Sequence, residues 1–238
     1  MFPDNPPMPS FDFSLLIAGP YHETLLAGLA MSLRLLVISL MLALPLAAAL
    51  ALLRLSPWAP LRAFAWLCVE VQRNIPPLAH LLFWYFAAPE LLPEALRDWL
   101  YGHNFEAIAA VVALTLYAAA FMGEDLRSGI RSVPAVQFEA GRALGLGFLP
   151  TMRFIILPQA LRIATPPLLS QTLNLWKNSS LATVIGTAEL MYAAAKVETE
   201  TFRSFEAFAF ATVCYLTVSL AIGALAAWFA RRYPPRSA

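Results

Sequence analysis

Charge is what this chain has least of. Asp, Glu, Lys and Arg make up 13% of its 238 residues, against roughly a quarter in soluble domains. A net charge of +1 argues against nucleic acid as a partner, which demands a basic patch. There are two cysteines, Cys68 and Cys214, both inside apolar runs; this excludes a disulfide framework and predicts two separate buried thiols. His22, His80 and His103 lie in different segments without ligand spacing, so no metal site is expected. No HExxH or GxSxG occurs, which leaves zinc-protease and hydrolase chemistry without a motif. None of the ten glycines belongs to a GxxxxGK[ST] phosphate loop, so nucleotide hydrolysis has no seat here. The opening MFPDNPPMPSFDF lacks a basic n-region and is too rich in proline for a signal peptide. The first hydrophobic run is therefore expected to be retained.

What the chain does have is apolar surface. Sixty per cent of its residues are hydrophobic and its mean hydropathy is +0.66. One water-facing globule cannot hide that much, so the bilayer is the expected solvent. A helix crossing the hydrocarbon core needs about 20 residues. Five runs qualify: 35–53, extended through Arg34 to about Thr24; 63–88, interrupted by EVQRNIPP; 107–123; 163–185, interrupted by Lys177; and 207–230. The expected fold is an all-α membrane protein with five transmembrane helices.

The sparse charge is unevenly shared between the two sides these runs define. One side collects Arg54, Arg62, Arg127, Arg131, Arg142, Arg153, Arg162, Arg231, Arg232 and Arg236 against Glu124, Asp125 and Glu139: ten basic, three acidic. The other side, made of the N-terminus and the loops 89–106 and 186–206, holds three basic and eleven acidic residues. The positive-inside rule makes the arginine side cytoplasmic, with the N-terminus outside and the C-terminus inside. Phe83, Trp84, Tyr85 and Phe86 lie just before Pro89, where an interfacial aromatic belt belongs. Residues 11–17 suit a short in-plane helix on the outer surface.

One segment fits lipid poorly. EAGRALGLGFLPTMRFIILP, residues 139–158, carries arginines and broken helix signals between two apolar runs. Pro134 can open a short helix. Residues 135–144 continue it with Val136, Ala140 and Ala143 along one apolar face, and Gly145 and Gly147 stop it. Two readings stand: a helix resting on lipid headgroups, or one resting on another protein.

Glu139-Ala140-Gly141, three residues, Gly145, nine residues and then Ile155-Ile156-Leu157-Pro158 resembles the EAA loop of ABC-importer permeases, with Gly141 in place of the second Ala. VEVQRNIPPLAHLLFWYFAAPELLPE and LNLWKNSSLATVIGTAEL look like the polar amino-acid branch, with Pro77 where that branch usually has Leu. The closest likeness is to the permeases of bacterial glutamate/aspartate importers. The resemblance implies a multi-pass subunit of the bacterial inner membrane, with a periplasmic N-terminal segment (1–23), a transmembrane domain (24–232) and a cytoplasmic tail (233–238). Its implied partners are a cytoplasmic ABC ATPase dimer, a second permease subunit, identical or paralogous, and a periplasmic amino-acid-binding protein. It makes the helix between spans 3 and 4 the coupling helix, so that Glu139, Ala140, Gly141 and Gly145 touch the ATPase. No cofactor and no catalytic residue is implied.

Charges inside spans are costly and face a cavity or a partner. Arg34, Glu70, Arg73 and Lys177 are the four; Arg34 sits near the outer end and is expected to snorkel to the headgroups. Three positive charges and one negative complement an acidic amino acid, which carries two carboxylates and one ammonium. Glu70, Arg73, Asn74, Lys177, Asn178 and Ser179 are thus candidates for the substrate path, with Asn174 and Ser180 beside them. The breaks at Pro76 and Pro77 favour that reading, because interrupted helices expose ends that bind polar groups. The alternatives stay open. Glu70 and Arg73, three apart on one helix, can neutralise each other; carbonyls freed near Pro166 and Pro167 can satisfy Lys177; the amides and hydroxyls can serve as interhelical glue. Import of glutamine or an opine, an intramembrane enzyme built on Glu70 and Arg73, and a non-conducting membrane subunit are the rival functions.

Overall fold

Long apolar runs leave the backbone no partner but itself, so in lipid they must be helical. The computed structural model describes residues 14–234, and every regular element in that stretch is a helix. Residues 1–13 and 235–238, which hold most of the expected N-terminal segment and tail, lie outside the described residues.

The described stretch opens with a single turn, α1 (Ser14–Ile17), within the residues 11–17 read as a short in-plane helix. Next comes α2 (Pro20–Leu55), 36 residues long with Pro20 at its first turn. Pro45 stands inside α2 without ending it. Helix α3 (Ala59–Asn74) stops because Ile75 precedes Pro76 and adopts an extended φ/ψ of −98°/131°. Helix α4 (Pro77–Leu82) restarts at once, continues through a widened turn at Phe83–Ala87 and a tight one at Ala88–Leu91, and is followed by α5 (Glu94–Tyr101). Asn104 caps α6 (Phe105–Arg131) by accepting from the Ala107 N–H at 3.2 Å. Then come α7 (Ala135–Ala143), α8 (Phe148–Thr151), a widened turn at Met152–Ile156 and α9 (Leu157–Asn178). A tight turn at Ser179–Ile185 leads to α10 (Leu190–Thr201) and α11 (Ser204–Arg232).

Among the described residues, three helices are long and apolar enough to cross a membrane: α2, α6 and α11. The runs read at 63–88 and 163–185 fall on the broken α3–α4 pair and on α9. Pro76 and Pro77 divide the first. Helix α9, at 22 residues, carries Arg162, Lys177, Pro166 and Pro167 among its apolar residues.

The core is built from small side chains. Ala43 and Ala47 of α2 and Ala109, Ala110, Ala113 and Ala118 of α6 belong to one buried cluster, all at most 4% exposed. Lipid tails are as apolar as leucine, so helices in a bilayer gain by close van der Waals approach, which small residues permit. Glycines mark the tightest crossings. A Cβ on Gly123 would stand 3.1 Å from the Ala47 carbonyl of α2, and one on Gly129 2.9 Å from the Ala160 carbonyl of α9. Larger residues plug the remaining space: Trp176 is fully buried, donates from Nε1 to the Tyr215 carbonyl at 3.1 Å, and lies 4.9 Å from the Tyr215 ring. The aromatic stretch read as an interfacial belt is split. Phe83 and Phe86 are exposed, whereas Trp84 and Tyr85 pack on the core and Tyr85 stacks on Phe105 at 5.1 Å.

Candidate functional site

Helix α9 ends in a polar stripe. Gln171, Asn174, Lys177 and Asn178 recur at helical spacing and therefore share one face. That face borders a cavity of about 460 Å³ whose opposite walls are Pro77 of α4 and Tyr117 and Phe121 of α6. The proline break thus does two things: it turns the chain at the cavity rim and places Pro77 itself in the wall. Asn174 donates to Gln171 Oε1 at 3.3 Å. Lys177 is exposed and meets no carboxylate among the described residues.

The α3 candidates sit at the margin. Arg73 Nη1 lies 3.7 Å from Glu70 Oε1. Asn74 Nδ2 donates to the Glu70 carbonyl at 2.8 Å and to its Oε2 at 3.2 Å. Glu70 and Arg73 are therefore mutually neutralised, the outcome their three-residue spacing allows. The Arg73 guanidinium also lies over the Phe121 ring, 5.3 Å from its centroid, and Phe121 connects it to the cavity wall. One cation, Lys177, is left uncompensated at the site. The carbonyls freed by Pro166 and Pro167 do not reach it: Lys177 lies fourteen residues beyond Ile163, about 21 Å along the helix axis. Ser179 does not join the cavity. It is fully buried and donates to the Trp176 carbonyl at 2.8 Å.

The segment 139–158 folds as a bracket. Helix α7 ends in a Schellman motif: the Leu146 N–H bonds the Gly141 carbonyl at 3.0 Å and the Gly145 N–H the Arg142 carbonyl at 2.9 Å. Gly145 takes φ +77°, which glycine adopts without a Cβ penalty. Gly141 is buried for a different reason: a Cβ there would lie 2.7 Å from Thr151 Cγ2. Thr151 is itself wholly buried and donates to the Gly147 carbonyl at 2.9 Å. Phe138 packs with Val133, Ile156 and Ala160 and ties the bracket to α9. Glu139 and Ala140 face outward, next to Leu144, Phe148 and Leu149, all strongly exposed.

Sequence reading missed two sets of residues. Gln171 and Tyr117 line the cavity unannounced, although Gln171 is legible as the next member of the Asn174–Lys177 face. The second is a buried node. Glu189, fully buried, accepts from the Met191 and Tyr192 N–H groups at 2.9 Å each, from Ser32 Oγ at 3.1 Å and from Tyr215 Oη at 2.8 Å. It caps α10 and fastens it to α2 and α11. By sequence it counted only as one acid of an outer loop.

The family of binding-protein-dependent transport system inner membrane components matches residues 36–234. A probable glutamine ABC transporter permease protein of Bacillus subtilis, GlnM, is 40% identical over 214 residues, which cover 89% of this chain and 91% of the relative. The glutamate/aspartate import permease protein GltK of Escherichia coli is 33% identical, over 94% of this chain and 99% of its own. A crystal structure of an amino acid ABC transporter with histidines superposes with a TM-score of 0.79 at 29% identity, covering 94% of this chain and 99% of that one. The inward-facing MetNI methionine ABC transporter, 18% identical, shares the fold with a TM-score of 0.67. The chain belongs to the binding-protein-dependent inner-membrane permeases, as a permease subunit of a polar amino-acid ABC importer.

Proposed function

We propose that this permease moves glutamate or aspartate, and that the Lys177 cavity lies on its path. One observation carries the reading: an ammonium that meets no carboxylate among the described residues faces a cavity whose other polar lining is three amides and the Tyr117 phenol. The ammonium suits a carboxylate, and Gln171, Asn174 and Asn178 can donate to a second one. Glu70 and Arg73, already paired, act at the margin through Phe121 rather than as direct ligands. A second reading is glutamine. It is favoured by the same amides, which both donate and accept as a carboxamide side chain requires, and by the 40% identity to the probable glutamine permease.

The proposed topology has five spans, with the α3–α4 pair and α9 joining α2, α6 and α11, the N-terminus in the periplasm and the arginine-rich ends in the cytoplasm. Bracket α7 then faces the cytoplasm, where its outward residues Glu139 and Ala140 and the apolar Leu144, Phe148 and Leu149 dock on an ABC ATPase dimer. Gly141 and Gly145 shape the bracket from within. ATP hydrolysis belongs to that partner. A second permease subunit completes the path, and a periplasmic binding protein delivers the amino acid.

The test is ATPase activity of the complete reconstituted complex with its binding protein, stimulated in turn by glutamate, aspartate, glutamine and arginine. Stimulation by the acidic pair first, and its loss in Lys177→Met, is expected. Unchanged stimulation and preference in Lys177→Met would remove the cavity from the path.

A further inference from the structure

A second polar cavity, of about 430 Å³, lies away from Lys177 where the end of α2, the start of α3 and the end of α6 converge. Arg54 comes from the last turn of α2 and Arg62 from the first turn of α3. Arg127 and Arg131 stand one turn apart on α6, so they share a face. Among the described residues, one carboxylate answers these four guanidiniums. Glu124 accepts from Arg127 Nε at 2.9 Å, from Arg127 Nη2, and lies 3.6 Å from Arg54 Nη2. Arg62 Nη1 is spent on the Ser56 carbonyl at 3.2 Å. Arg54 is the telling residue: its side chain is 13% exposed, and its buried Nη1 meets no acceptor among the described residues. A buried donor on a charged group costs free energy until an acceptor reaches it. Four cations against one anion leave a surplus of three positive charges around a cavity large enough for a small anion.

We propose that this basin binds the phosphate of an anionic phospholipid headgroup. Phosphate fits because guanidinium forks match its oxygens two at a time. The neighbouring surface favours a lipid source over free phosphate. Trp66 stands in the cavity wall and is half exposed, and Trp58, immediately before α3, is strongly exposed. Two exposed tryptophans thus flank the arginines, where interfacial belts place them at a lipid surface. Basic pockets between membrane helices on the cytoplasmic side hold anionic headgroups on the same grounds. The proposal rests on the reading that the arginine end of α2 and α6 meets a membrane surface.

Lipid retention is measurable on the full chain without ATPase or binding protein, so it holds or fails independently of the transport reading. The purified chain, in neutral-detergent micelles doped with phosphatidylglycerol or with phosphatidylcholine, is examined by native mass spectrometry, with and without added inorganic phosphate. Preferential retention of phosphatidylglycerol is expected, and it should persist in inorganic phosphate. Arg62 and Arg131 are exposed, so R62Q/R131Q leaves the core intact. At about 1 kcal/mol per cation near a membrane surface, this double variant should retain phosphatidylglycerol about thirtyfold more weakly, whereas R62K/R131K should keep most of the preference. Arg54→Gln should weaken it as well. Equal retention of the two lipids, or R62Q/R131Q behaving as the parent chain, overturns the proposal. Displacement of phosphatidylglycerol by inorganic phosphate assigns the basin to the free anion and overturns the lipid source.

Discussion

Gly141 is the residue at which this bracket departs from the pattern it resembles, and the departure has a steric cause. Alanine would ordinarily stabilise a helix interior by up to about 1 kcal/mol over glycine. Here its Cβ would stand 2.7 Å from Thr151 Cγ2 and 2.9 Å from Thr151 Oγ1. Thr151 cannot yield, being wholly buried and stiff at χ1. Gly141→Ala should therefore destabilise the chain by about 1–3 kcal/mol, the usual cost of overpacking, read as a lower midpoint of thermal unfolding in detergent. Gly141→Ala with Thr151→Ala should recover most of the loss; failure to recover would show that the clash is not the cause. Glu189 argues the opposite way, through satisfaction rather than space. Tyr215→Phe removes one of its four donors while keeping the ring on Trp176. A hydrogen bond to a carboxylate is worth roughly 1.5–3 kcal/mol, and the same melting experiment should show a loss of that order. A Tyr215→Phe chain as stable as its parent would mean water replaces the hydroxyl.

At the scale of elements, legibility follows periodicity and fails where contacts are long-range. The apolar runs announce α2, α6 and α11 because length and composition are local properties. The proline pair announces the α3–α4 break because Pro76 acts on the residue before it. Nothing local says that α9 turns Gln171 and Lys177 toward Tyr117 of α6, or that Ser32 and Glu189, 157 positions apart, share a hydrogen bond. Nor does spacing reveal that Ser179 faces inward, since one residue beyond Asn178 the helix tightens. The α6–α9 crossing is where element packing bears on the proposed path. A Cβ on Gly129 would press on both the Ala160 carbonyl and Ala164 Cβ at 2.9 Å, and the backbone carbonyl cannot swing aside. Gly129→Ala should push the two helices apart and widen the cavity they wall. The expected result is a loss of about 1–3 kcal/mol in stability together with a several-fold rise in the amino-acid concentration that half-stimulates the complex. Lower stability with unchanged half-stimulation would detach the crossing from the site.

For the whole molecule the decisive property is which way it sits, because every proposed role depends on it. Lys177 can receive an amino acid from a periplasmic protein, and α7 can meet a cytoplasmic motor, only if the two membrane faces are those the arginines indicate. The structure offers two well-separated reporters. Leu91 is 79% exposed in the turn before α5, and Leu144 is 77% exposed at the end of α7; the proposed topology puts them on opposite sides. Single cysteines at these positions, in a chain whose half-buried Cys68 and Cys214 have been replaced, can be labelled with a membrane-impermeant maleimide. In right-side-out vesicles Leu91→Cys should label and Leu144→Cys should not; in inverted vesicles the pattern should reverse. Adding the ATPase to inverted vesicles should then protect Leu144→Cys, because the apolar surface it shares with Phe148 and Leu149 is the proposed docking face. Labelling of both positions from one side would overturn the orientation, and with it the coupling role of α7. Correct sidedness without protection by the ATPase would leave the topology standing and move the docking face elsewhere on the arginine-rich side.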